Sequence, residues 1–154
     1  MIIKKFIYII LLFVSLIMAC NKNDESNFGN NQTIEIQNII TLGGSKNESA
    51  QSIISTNDGG YVIVGYTQSN DGDVITKNNI SYDYWIIKFD SLGNQQWQRF
   101  YGGNNDDRGQ EIINTLDGGY AIVGSSKSND GDVSYNEGLN DIWILKIDIV
   151  GDIQ

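Results

Sequence analysis

The sequence predicts an all-β chain built from about two copies of one four-stranded antiparallel unit, and three observations predict it. The stretch Asn57-Asp58-Gly59-Gly60-Tyr61-Val62-Ile63-Val64-Gly65 returns as Leu116-Asp117-Gly118-Gly119-Tyr120-Ala121-Ile122-Val123-Gly124. Both copies run on into Ser-Asn-Asp-Gly-Asp-Val and then into a Trp-x-x-Lys-x-Asp strand. The strands of both copies are apolar on each side. A fixed period of this size marks a repeat architecture, in which one unit buries its apolar surface only by stacking on a neighbour.

The first element is Met1 to Ala19. Lys4 and Lys5 form a short positive region, and Phe6 to Met18 is apolar apart from Ser15. A membrane span needs about 20 apolar residues, so residues 1–19 read as a secretory signal helix that is removed. Ile17-Met18-Ala19-Cys20 resembles the lipobox of bacterial lipoproteins. That resemblance implies cleavage before Cys20 and a lipid on its thiol, so that the chain meets the membrane through the lipid. Cys20 is the only cysteine, which rules out a disulfide within the chain.

Residues 20–32 follow as a flexible acidic tether with no large apolar side chain except Phe28. A charged stretch directly after such a cysteine looks like the tag that sends some Gram-negative lipoproteins to the cell surface. The expected address is therefore the outer membrane, facing outward. Removing Lys4 and Lys5 with the signal takes the formal charge from -9 to -11. A field of that sign argues against nucleic acid and against an electrostatic grip on anionic lipid.

From residue 33 to 154 the chain reads as one domain of short strands. Thr33–Thr41 is the first and ends at Gly43-Gly44. Gln51–Thr56 and Tyr61–Thr67 follow, joined at Asp58-Gly59 by a turn that reads as type I′, with positive φ at both central positions. Tyr82–Asp90 and Gln95–Tyr101 complete a unit, and the series then repeats. The offset is 59 residues from Gly43/Gly102 to Asp71/Asp130 and 58 from Trp85/Trp143 to Gly93/Gly151, which places the repeats at roughly 43–101 and 102–154.

Alternation puts Trp85, Ile87 and Phe89 on one side of their strand and Tyr84 and Ile86 on the other, with Trp143, Leu145, Ile147 against Ile142, Ile144 in the second copy. A strand apolar on both faces requires a sheet covered on both faces. Gln95–Tyr101 is more polar, as an edge should be. Four-stranded sheets stacked face to face at one per 60 or so residues are the blades of a β-propeller, here a partial one of about two blades. A β-sandwich or an open β-solenoid is the alternative.

The Asp-Gly-Gly-Tyr, Ser-Asn-Asp-Gly-Asp and Trp-x-x-Lys-x-Asp-x-x-Gly series also resembles the β-propeller-repeat proteins found among bacterial surface and secreted lipoproteins, from Ile34 onward. Two blades do not close a ring. The missing ones would come from the rest of a longer chain, which is the preferred reading, or from other copies.

Chemistry is sparse. There is no histidine and no free thiol, so the usual nucleophile–base pairs are absent and no catalytic residue is assigned. The expected activity is that of a binding or scaffold module for a protein or glycan. A fragment of a carbohydrate-active or other exported enzyme, or a truncated product without its own activity, is the alternative.

In an up-and-down meander the tight turns share one rim and the long loops the other. The long-loop rim is the expected working surface, carrying Asn70, Asp71, Asp73, Asn129, Asp130, Asp132, Asp106 and Asp107. Asn-Asp-Gly-Asp has the carboxylates a calcium site uses, but lacks the spaced loop and distal glutamate of an EF-hand, and it equally fits an Asx-turn, the preferred reading. No cofactor or metal is therefore assigned. Trp85 and Trp143 read as interior packing, and Lys88 and Lys146 as partners of a nearby carboxylate.

Overall fold

The structure is a computed structural model that describes residues 39–154. The predicted signal helix, Cys20, the tether and most of the Thr33–Thr41 strand lie outside the described residues. Ile39, Ile40 and Thr41 are not in a strand.

Seven strands are present among the described residues: β1 (Glu48–Ser55), β2 (Tyr61–Thr67), β3 (Asp83–Phe89), β4 (Gln95–Tyr101), β5 (Asp107–Asn114), β6 (Tyr120–Ser126) and β7 (Asp141–Ile147). There is no helix among the described residues. They form two antiparallel meanders, a four-stranded sheet in the order β1-β2-β3-β4 and a three-stranded sheet in the order β5-β6-β7. About two four-stranded units were expected, the second without its outer strand because residues 151–154 align only with 93–96. In the second sheet the fourth position holds only one bridge, Ile147 to Ile153, the counterpart of the Phe89–Gln95 pair that opens β4.

The repeat extends to the irregularities. β1 is bulged between Ala50 and Ser52 where it pairs with β2, and β5 is bulged between Gly109 and Glu111 at the matching place. The bulge explains why β1 starts at Glu48 and not at Gln51. An inserted residue breaks the alternation, and the polar Glu48-Ser49 end pairs with Tyr66 and Thr67 beyond it.

All four hairpins use one turn. Gly59 N–H donates to Thr56 O and Thr56 N–H to Gly60 O, and the same pair of bonds closes Asp90–Asn94, Thr115–Gly119 and Asp148–Asp152. Only the third loop residue has positive φ: Gly59, Gly93, Gly118 and Gly151 at 80°, 83°, 88° and 91°. This is a three-residue loop, a type I turn followed by a left-handed glycine, and it replaces the expected type I′ turn. Asp58 sits at a position with negative φ, where its carboxylate instead accepts from Gly60 N–H and Thr56 Oγ1.

The two sheets stack on one core. Val62, Val64, Tyr84, Ile86 and Tyr101 come from the first sheet, and Ile112, Tyr120, Ile122, Leu145 and Ile147 from the second. The Tyr84 and Trp143 rings meet at 4.7 Å, and Tyr84 Oη donates to Trp143 O at 3.1 Å. Gly109 lets β5 approach: a Cβ there would stand 2.8 Å from Val64 Cγ2 and 3.2 Å from Tyr84 Cδ2. The opposite face of the first sheet carries a second apolar cluster, Trp85, Ile87 and Phe89 with Val74, flanked by Leu42, Tyr61, Ile63 and Phe100.

Candidate functional site

Because consecutive strands are antiparallel, the four tight turns share one rim of the stack and the connections 68–82, 102–106 and 127–140 share the other. On the tight-turn rim the two matched lysines hold their turns. Lys88 Nζ donates to Asp58 Oδ2 at 2.8 Å, and Lys146 Nζ pairs with Asp117. These bonds, with those from the turn threonine and glycine, hold both carboxyls well below the usual carboxylate range.

On the long-loop rim the acidic residues singled out by the sequence are used within the fold. Asp71 Oδ1 accepts from Ser45 N–H and Asp73 Oδ2 from Gly43 N–H, at 2.8 and 3.0 Å. Asp130 Oδ1 and Asp132 Oδ2 accept from Asn104 and Gly102 N–H at 2.8 and 3.1 Å. Each Asn-Asp-Gly-Asp loop thus clips the Gly-Gly corner that precedes the first strand of its sheet. Gly72 and Gly131, at φ 65° and 64°, supply the left-handed step that brings both carboxylates to bear. Asn70 and Asn129 lie beside these clips, exposed. Among the described residues, no group of three or more acidic, histidine or cysteine side chains is arranged to hold a metal ion.

Asp106 and Asp107 have different roles. Asp107 is buried and accepts from Gly103 N–H (2.8 Å), Ser128 Oγ (2.7 Å) and Ser126 Oγ, so it ties β5 to the loop after β6. Asp83 is buried nearby. A Cβ on Gly102 would lie 2.6 Å from Asp107 Oδ2 and 2.9 Å from Asp83 Oδ1, so both carboxylates converge on that glycine. Burial, together with Asp107, raises the Asp83 carboxyl to about 6 against the opposing pull of Lys77, whose Nζ is 3.5 Å away. Lys77 also donates to the carbonyls of Asn79 and Ser81 and so fixes the loop leading into β3. This buried group joins the loops that lead into β3 and β5.

The sequence reading missed a different cluster on the same rim. The Arg108 guanidinium lies 4.4 Å from the Tyr82 ring centroid and 5.4 Å from that of Tyr66, and the two rings meet edge to face at 5.4 Å. All three side chains are half-buried. Arg108 Nη2 reaches Asp106 Oδ2 at 3.4 Å, with Lys127 at 3.8 Å, while Arg108 Nε is enclosed without a hydrogen-bond partner among the described residues. The available signal was a break in the repeat. Arg108, Tyr66 and Tyr82 align with Ser49, Ser125 and Asn140, so neither copy repeats this arrangement. A cation over two phenol rings, bordered by a carboxylate, offers stacking surface and charge-assisted hydrogen bonds to an incoming polar ligand.

The chain matches no protein-family model and no curated protein sequence.

Proposed function

We propose that the protein is a membrane-anchored lipoprotein of the outer membrane, exposed at the cell surface and held by lipid on Cys20. Its two sheets act as blades of a propeller-type repeat module that binds a protein or a glycan through the long-loop rim. The observation that carries this reading is the Arg108–Tyr82–Tyr66 cluster. The turns, clips and apolar strands recur because both sheets need them, whereas a non-recurring arrangement on the loop rim is free to serve recognition. Aromatic side chains and arginine supply most of the energy where one protein surface recognises another. The reading requires no metal and assigns no catalytic residue.

The experiment is to probe arrays of glycans and of exported proteins with the purified chain, and then with Arg108→Ala and Tyr82→Ala. A partner of the rim should lose at least about tenfold in affinity, about 1.4 kcal/mol, while the far-ultraviolet spectrum of the chain is unchanged. Equal binding by the variants removes the rim from the proposal. Fatty-acid labelling in cells tests the anchor separately. The chain should incorporate labelled fatty acid and Cys20→Ala should not, and equal labelling of the variant, or none in either, would overturn the lipid assignment.

A further inference from the structure

The stacking within the chain is directional. The first sheet contributes the face that carries Val64, Tyr84 and Ile86, and the second contributes the opposite face, the one that carries Ile122, Trp143 and Leu145. One face of each sheet is therefore left over, and the repeat relates these to the two that are joined.

On the second sheet, Ile142 and Ile144 are the counterparts of Tyr84 and Ile86. Tyr84 and Ile86 are 0% exposed, whereas Ile142 and Ile144 are 80% and 70% exposed. On the first sheet, Ile63, Trp85 and Ile87 are the counterparts of Ile122, Trp143 and Leu145, and they line a groove of about 470 Å³. The lysines show the same difference. Lys88 and Lys146 make matching bonds to Asp58 and Asp117, but the Lys88 side chain is 3% exposed and that of Lys146 42%.

The groove is partly covered along one side by Ile40 and Leu42. By the repeat these residues align with Arg99 and Tyr101, at the end of β4. Tyr101 packs in the core between the sheets and its Oη donates to Gly151 O. Ile40 and Leu42 thus stand where the outer strand of a preceding sheet would stand, and among the described residues the second sheet has a single bridge, Ile147 to Ile153, in place of a fourth strand.

We propose that the chain associates head to tail with further copies of itself. The Ile142/Ile144 face of one copy enters the Trp85 groove of the next, and that copy's Ile40–Leu42 segment comes to lie at the open edge beside β7. An interface between unlike faces generates a closed ring when the rotation per unit completes a turn. This rests on the propeller reading proposed above, under which two described sheets per copy and 4–8 sheets per ring correspond to roughly two to four copies. The contact within the chain predicts the contact between copies. Ile142 stacks on Trp85 of the neighbour as Tyr84 does on Trp143, and Val123 meets Ala50 as Val64 meets Gly109.

The test uses the full chain with Cys20→Ala, so that neither lipid nor the native thiol contributes. Sedimentation should give an oligomer of a single size, and Ile142→Asp with Ile144→Asp should reduce it to one chain mass with an unchanged far-ultraviolet spectrum. With Ala50→Cys and Val123→Cys together, mild oxidation should give a non-reducing ladder that ends at the ring. Each cysteine alone should give no cross-link. A folded wild-type chain that sediments at one chain mass overturns the proposal, as would be found if another protein or further repeats normally fill these faces. An oligomer unaffected by the aspartates, or Val123→Cys alone cross-linking as well as the pair, also overturns it, the latter by showing like faces in contact.

Discussion

Asp83 and Asp58 show how one residue type is driven in opposite directions by its place in the fold. Buried beside Asp107, Asp83 holds its proton up to about 6, whereas the hydrogen bonds from Lys88, Thr56 and Gly60 keep Asp58 ionised far into acid. A raised folded-state pKa means that the folded chain binds the proton more tightly than the unfolded chain, so stability gained from Asp83 is present at low pH and lost as pH rises through about 6. Asp58 and Asp117 act in the other sense. Their contribution is present above the ordinary carboxylate value of 3.8 and lost as pH falls below it. Melting temperature should therefore peak near pH 4 and decline from there to about pH 6, with Asp83 accounting for about 2–3 kcal/mol of that decline. Asp83→Asn should flatten the profile between pH 4 and 7. A profile of the variant that keeps the wild-type slope there would assign the effect to another group.

Among the elements, the turn carries the most instruction per residue. Four glycines at the same loop position share a φ of 80° to 91°, which an L side chain enters at a cost of about 1–2 kcal/mol. Gly59→Ala and Gly118→Ala should each lower stability by about that amount in urea unfolding, with an unchanged slope, while Asn57→Ala should cost much less. Equal effects at Asn57 and Gly59 would contradict the assigned turn. The strands were legible because both their faces are apolar and their ends carry glycine. β2 and β4 have the bounds expected from sequence, and β3 is one residue shorter at each end. The turn type was not legible, because Asp-Gly fits both a type I′ pair and the last two residues of a three-residue loop. The choice falls to the preceding Thr56, whose N–H pairs with Gly60 O. The polar start of β1 was hidden by its bulge.

For the molecule as a whole, the repeat explains the stacking as well as the sheets. Val64, Tyr84 and Ile86 meet Ile122, Trp143 and Leu145 because each unit presents one kind of apolar face forward and the other back. The positions of Asn70, Asp71 and Asp73 and their counterparts on one rim were readable from loop length alone. The hydrogen bonds of the four aspartates to the Gly-Gly corners were not, since the partners are up to 30 residues away in sequence. The Arg108 cluster was marked only by a break in the repeat, for the same reason: Tyr66, Tyr82 and Arg108 come from three separate segments and share no local motif. The claim on which the account rests is that the two sheets lie face against face with Tyr84 over Trp143. Nuclear Overhauser contacts between aromatic ring protons test it most directly. The account predicts strong cross-peaks between the Tyr84 and Trp143 rings, at a centroid separation of 4.7 Å, and from the Val64 methyls to the Gly109 Hα. Trp143 ring protons with no contact to Tyr84, in a chain whose strand-pairing contacts are intact, would contradict it.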